Sequence, residues 1–200
     1  MPNFTPRDGF KYIAFFKPFG VLSQFSKEAD SDKRTLADFD FPKEVYPIGR
    51  LDFDSEGLLL LSDDGRLNSA LLEPRYGHRR TYYSQVERIP SPDAIQRLRT
   101  GVLIEGRKTQ PAEAKLLDFE PCLPEREVPI RFRKNVPTAW IELILGEGKN
   151  RQVRRMTAAV GHPTLRLVRI AIGNLYMEDL DIEPGQWRLL SSEQLADCFR

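Results

Sequence analysis

The chain of 200 residues has little cysteine, little histidine and no long apolar run. Its two cysteines, Cys122 and Cys198, lie far apart and lack metal-ligand spacing. That argues against a disulfide scaffold and fits a reduced compartment. No apolar stretch approaches the ~20 residues that a membrane helix needs. The opening MPNFTPRDGF has neither the charged-then-apolar order of a signal peptide nor the amphipathic pattern of a transit peptide. Internal repeats and low-complexity tracts are also missing. The expectation is a cytoplasmic protein that does not engage a membrane. An apolar share of 40% with 30% charged residues supports a sizeable core, built as one domain or as two subdomains sharing a cleft.

An excess of one charge sign is nearly absent, since the net charge is +1. The distribution is uneven. Residues 28–64 hold 11 acidic and 4 basic side chains, a net of −7, which leaves +8 for the remainder. Basic groups cluster in RYGHRR (75–80), IRFRK (130–134), KNRQVRR (149–155) and RLVR (166–169). Such clusters suit a polyanion-binding face or several solvated faces, and charge alone leaves both open.

Local patterns define the elements. LLLL (58–61) is an extended run closed by the turn signal Asp63-Asp64-Gly65, and a short helix with Leu67, Leu71 and Leu72 then stops at Pro74. TYYSQVERI (81–89) reads as a strand, with Tyr82, Ser84 and Val86 on one face. Ser91 and Pro92 start a helix that Gly101 ends. The stretch 120–138, with four prolines, is a loop or hairpin insertion. WIELIL (140–145) and LRLVRIAIG (165–173) are strands, and NRQVRRMTAAV (150–160) is a helix capped by Asn150. Residues 187–199 form a strand and a final helix, with a capping box in Ser191 and Gln194. The connections are too short for parallel crossovers. The expected class is α+β, a mixed and largely antiparallel sheet with flanking helices, in two subdomains around a central cleft.

Two segments carry chemistry. In GRLDFDSEGLLLLSDDG (49–65), Asp52, Asp54 and Glu56 crowd one loop and require nearby cations. Arg50 is adjacent, and the arginines of 149–155 are candidates from a distance. A carboxylate beside an arginine stays ionised, which suits a nucleophile or base. A divalent-metal site, an Asp52/Glu56 glycosidase pair and a solvated acidic turn are the alternatives; the first lacks histidine and EF-hand spacing. In GEGKNRQVRRM (146–156), Arg151, Arg154 and Arg155 are expected on one helical face, with Val153, Met156 and Val160 opposite. Lys149 and Asn150 stand at the helix start, where backbone N–H groups favour a phosphate. An ordinary basic surface helix is the alternative.

These two blocks, together with KPFG (17–20), RTYYSQV (80–86), LRLVRIAIG and PGQWRLL (184–190), resemble the signature blocks of the small- and large-subunit ribosomal RNA pseudouridine synthases, over about residues 12–192. The resemblance implies that Asp52 is the essential aspartate, that the Tyr82 ring stacks on the target base and that Arg154 pairs with the aspartate. Arg50, Arg80, Lys149, Asn150, Arg151 and Arg155 are then expected to hold RNA. Arg80 departs from the lysine usual at its position. The run IRFRKNVPTAWIEL (130–143) is similar to large-subunit members and implies 23S ribosomal RNA as substrate. Residues 1–200 are expected to form one catalytic domain without an S4-type RNA-binding domain, monomeric, with no cofactor and no metal. His78 is expected near phosphate, and His162 to pack or cap. A non-catalytic RNA-binding or ribosome-assembly module on the same fold is the alternative; it has no need to keep Asp52, Tyr82 and Arg154 together.

Overall fold

The computed structural model describes residues 4–27, 29, 31–130 and 135–200. They group into two compact units, one reaching to His78 and resuming over Arg169–Arg200, the other Arg79–Val168.

The first unit begins with β1 (Tyr12–Lys17), β2 (Val21–Leu22), β3 (Arg34–Thr35), β4 (Tyr46–Ile48), β5 (Glu56–Ser62) and helix α1 (Gly65–Leu72). YIAFFK and EGLLLLS are buried at every position, so neither strand alternates, as expected where both faces are covered. β1 runs antiparallel to β5 from Tyr12↔Ser62 to Lys17↔Gly57, and β4 is antiparallel to β5 as well. Asp64, read in the sequence as part of a turn, is also the N-cap of α1 and accepts the Arg66 N–H.

The second unit contains β6 (Arg80–Glu87), α2 (Pro92–Thr100), β7 (Leu103–Ile104), β8 (Arg107–Lys108), β9 (Glu113–Leu116), β10 (Thr138–Leu145) and α3 (Gln152–Ala159). β10 lies antiparallel between β6 and β9. Val86, Leu98, Ile141, Leu143, Val153 and Met156 are among the residues of its core, so the apolar side of α3 packs as its spacing predicts. The start of α2 also matches, with Ser91 Oγ accepting the Ala94 N–H at 3.2 Å. Among the described residues of 117–137 there is neither helix nor strand, in line with the predicted loop. Residues 131–134, most of the IRFRK cluster, lie outside the described residues.

The start of α3 is a correction. Its N-cap is Arg151, in left-handed conformation at φ +50, and not Asn150. The Gln152 side chain takes the Lys149 N–H at 2.9 Å, whereas Asn150 Oδ1 accepts from Arg155. The N-cap side chain itself makes no capping hydrogen bond.

β11 (Thr164–Ile172) starts in the second unit and ends in the first. β12 (Leu175–Tyr176), β13 (Trp187–Leu189) and α4 (Ser192–Asp197) follow, with β13 antiparallel to β1. The predicted Ser191/Gln194 capping box is formed. Of the two free thiols, Cys122 is exposed in the loop after β9 and Cys198 is buried just past α4. The named pairings are antiparallel except for the short parallel β2–β3 pair, so the class is α+β with a largely antiparallel sheet.

Gly57 marks the tightest approach in the first unit. Its φ is +106, and a β-carbon there would sit 2.2 Å from the Arg169 carbonyl oxygen. Gly57→Ala should lower the unfolding free energy by roughly 2–4 kcal/mol, read from urea denaturation.

Candidate active site

In the first unit, the aspartate block forms a closed turn between β4 and β5. The Ser55 N–H donates to the Asp52 carbonyl at 3.0 Å. Two further contacts come from the segment after β1. The Gly20 N–H donates to the Phe53 carbonyl at 2.9 Å. The buried Ser23 hydroxyl donates to the Leu51 carbonyl at 2.8 Å and accepts the Leu51 N–H at 3.1 Å. Gly20 of the KPFG block and Ser23 just beyond it thus hold this turn. Asp52, Phe53 and Asp54 are half-buried, and Glu56 is buried.

Two buried cations belong to the same unit, and one of them, Lys17, interacts with these carboxylates. Lys17, at the end of β1, is fully buried and its Nζ donates to the Pro18 carbonyl at 2.9 Å. Burial pulls the ammonium from its ordinary 10.5 down to about 7, against the opposing pull of Glu56, Asp54 and Asp52, while Arg169 lowers it further. Arg169 is 4% exposed and donates Nε to the Leu58 carbonyl at 2.7 Å. Its buried Nη2 has no hydrogen-bond partner among the described residues.

Sequence reasoning looked for balancing cations in Arg50 and in 149–155, and missed these two. A lysine closing a wholly apolar strand and an arginine alternating within one were the available signals. The RLVR cluster is corrected at the same time. Arg166 and Arg169 are buried, and Arg166 Nη2 donates to the Pro124 carbonyl at 2.7 Å. Neither is surface for a polyanion. Arg50 is exposed, its Nη2 3.5 Å from Gln24 Oε1.

In the second unit, Tyr82 lies opposite Leu143 on β6, half-buried and packed against the core. Ser84 and Val86, two and four residues on, are fully buried, as the predicted alternation requires. Arg80 lies opposite Leu145, and its Nη1 is 3.6 Å from where a β-carbon of Gly148 would stand. Arg154 is half-buried, with Nη1 donating to the Thr164 carbonyl at 3.3 Å. Arg155 donates to Glu105 at 2.9 Å and to Asn150 Oδ1 at 3.0 Å. Lys149 pairs with Glu147 at 3.2 Å. Burial works to raise the Glu147 carboxyl, but hydrogen bonds from Gln110, Lys149 and Gln152 hold it below its ordinary value.

The structure therefore gathers Arg80, Lys149, Asn150, Arg151, Arg154 and Arg155 around the 146–155 segment. It does not put three arginines on one helical face. Arg151 precedes the helix and is exposed, Arg154 reaches β11, and Arg155 reaches the β7–β8 hairpin. His78 is also corrected. It is buried, with Nε2–H donating to the Ala70 carbonyl at 2.8 Å and its ring edge-on to Phe199 at 5.2 Å, so it serves packing and not phosphate. His162 packs as expected, Nδ1 lying 3.0 Å from the Glu87 carbonyl oxygen. Among the described residues no helix is long and apolar enough to cross a membrane, and no three His, Cys, Asp or Glu side chains group as metal ligands.

A carboxylate turn on buried cations, an aromatic-bearing strand and a basic helix start fit an enzyme that handles a nucleotide. The family model for RNA pseudouridylate synthase matches residues 11–159, and the chain belongs to that family. It is an RNA pseudouridine synthase, an isomerase. The chain is 54% identical over 173 residues to ribosomal large subunit pseudouridine synthase E of Xanthomonas campestris, covering 86% of this chain and 91% of that protein. It is 46% identical over 179 residues to the protein of the same name from Vibrio parahaemolyticus, covering 89% and 73%. A crystal structure of a pseudouridylate synthase superposes with a TM-score of 0.77 at 25% identity, covering 99% of this chain and 76% of that one. Nothing in these likenesses favours a non-catalytic module.

Two expectations follow. Ser23→Ala leaves the Leu51 N–H and carbonyl without their buried partner. It should cost about 1–3 kcal/mol in urea denaturation and lower kcat more than RNA affinity. For Lys17, the unfolded chain holds a proton between about pH 7 and 10.5 that the folded chain has released. This group's contribution therefore rises with pH through that window and is lost as pH falls through about 7. Wild-type protein should gain unfolding free energy relative to Lys17→Met between pH 6.5 and 9; parallel curves would refute it.

Proposed function

We propose that the chain converts uridine to pseudouridine at a specific position of large-subunit (23S) ribosomal RNA, with Asp52 as the catalytic carboxylate. The observation that carries this is the Asp52 turn, clamped by Gly20 and Ser23 over buried cations, in a chain about half identical to a large subunit pseudouridine synthase E. Tyr82 stacks on the uracil, and Arg154 is the basic residue of the catalytic set.

The reaction breaks the N1–C1′ bond, turns the uracil and joins C5 to C1′. N1 gains a proton and C5 loses one, so atoms balance with no co-substrate. Asp52 removes a ribose proton, adds to C1′ or adds to the base. A stacked base is out of reach, so the uridine is flipped out, at a cost of a few kcal/mol. Arg50, Arg80, Lys149, Asn150, Arg151 and Arg155 hold the phosphates of the flanking strand, and recognition rests on RNA shape. The enzyme works as a monomer in the cytoplasm.

The deciding measurement is pseudouridine formation in a 23S fragment by Asp52→Asn. Turnover should fall by at least about a hundredfold with RNA affinity retained. Normal turnover would end the assignment of Asp52.

A further inference from the structure

The β7–β8 hairpin has more fastening than its own packing requires. It forms a two-stranded sheet of its own, apart from the sheet that carries β6 and β10. Each strand is two residues long, with Leu103 opposite Lys108 and Ile104 opposite Arg107. Ile104 packs against the core, while Leu103 is 68% exposed. Arg107 and Lys108 are exposed as well. So short a hairpin buries little and is not stable by itself.

Three sets of contacts fix it. At its base, the Thr109 N–H donates to the Val102 carbonyl at 2.9 Å, and Thr109 Oγ1 accepts the Val102 N–H at 3.0 Å. At its tip, Glu105 accepts from Arg155 Nη1 of α3 at 2.9 Å. Just past β8, the Gln110 N–H donates to Glu147 Oε1 at 2.9 Å, and Glu147 Oε2 pairs with Lys149 at 3.2 Å. The tip and the exit of the hairpin are thereby fastened to the segment that starts α3. Arg107 and Lys108 lie in the chain between those two fastenings.

The residue at the tip is informative. Glu105 and Gly106 make the two-residue turn, and both have positive φ, +49 and +78. Asparagine or aspartate before glycine is the usual choice for such a turn, and glutamate is a poor one. The Glu105 side chain is 75% exposed, and ion pairs this open contribute little to stability. Glutamate therefore adds little to the fold here. What it has over the shorter asparagine is reach to Arg155, and that contact sets where the hairpin lies against α3.

We propose that the β7–β8 hairpin is an RNA-contacting element, held against the start of α3 by Glu105 and Glu147, on which Arg107 and Lys108 take phosphates of the substrate beyond those held at 146–155. The proposal deepens the reading of the chain as an enzyme of 23S ribosomal RNA and rests on it. Cations on a fastened turn lose less freedom on binding than the same cations on a free loop. Two neighbouring exposed cations suit a polyanion, and their phosphate contacts supply position and affinity without reading sequence.

The experiment measures Kd for a 23S transcript as a function of salt, with pseudouridine formation and circular dichroism alongside. Arg107→Gln/Lys108→Gln should bind about tenfold more weakly at about 0.1 M salt, and the slope of log Kd against log salt should fall by about 1.5. Lys108→Gln alone should bind about threefold more weakly, whereas Lys43→Gln, which removes an exposed lysine of the first unit, should bind as wild type does. Glu105→Asn suits the turn, keeps both cations and removes a negative charge. Loss of its link to Arg155 should still weaken binding about threefold, where charge attraction by itself would tighten it. Wild-type Kd and salt slope in the double variant would overturn the proposal. So would equal losses in Lys43→Gln and Lys108→Gln, since total charge would then account for both, and so would binding by Glu105→Asn as tight as wild type or tighter. If wild type forms pseudouridine in the transcript and the double variant binds normally, the role of the hairpin alone fails. If wild type forms none, the reading of the substrate fails and this proposal with it.

Discussion

Two cations buried within apolar strands set the terms for the first unit. Moving an ammonium or guanidinium out of water costs several kcal/mol even after relaxation, and only well-placed anions and hydrogen bonds offset that. Lys17 meets this condition through Glu56, Asp54 and Asp52, and Arg169 donates Nε to the Leu58 carbonyl. These carboxylates are what allows β1 to end in a buried lysine. Gly57 completes the arrangement, since only a residue without a side chain lets β5 approach Arg169 so closely.

The second unit solves a different problem, which is to hold long basic side chains in defined directions. A line of hydroxyls lies behind Arg154. Ser84 Oγ is 2.9 Å from Thr164 Oγ1, and Thr157 Oγ1 is 2.8 Å from the same atom. This ties β6, α3 and β11 together around the residue whose carbonyl receives Arg154. Tyr82 stands on the same strand face as Ser84, so its ring is braced by the core that orients the arginine. Arg155 is fixed instead by Glu105, in the turn between β7 and β8. Lys149, Arg154 and Arg155 thus each have an anchor, and their side-chain entropy is partly removed before any polyanion arrives.

What could be read in the sequence follows how local each signal is. The ends of α2 and the capping box of α4 depend on residues three or four apart, and they appeared where expected. So did the alternation that separates Tyr82 from Tyr83. The start of α3 did not, because Arg151 takes the N-cap position in a left-handed conformation while Asn150 Oδ1 accepts from Arg155, an outcome that composition does not distinguish. Arg166 and Arg169 look like surface charge in a linear reading, and only the fold shows their donors turned to carbonyls of Pro124 and Leu58. Lys17 was visible only as part of a short motif. Its role depends on carboxylates some 40 residues away in the chain, and no local pattern reports a contact at that separation.

The two cysteines differ in a way that has a practical side. Burial pushes the Cys198 thiol up to about 12, and the thiolate is the form that alkylates, so in the folded chain this sulfur is silent. Cys122 is exposed on the loop after β9. A single fluorophore or spin label can thus be placed on the second unit without engineering. The number of maleimide equivalents consumed then becomes a direct titration of intact protein: one for a native molecule, two once the first unit has opened.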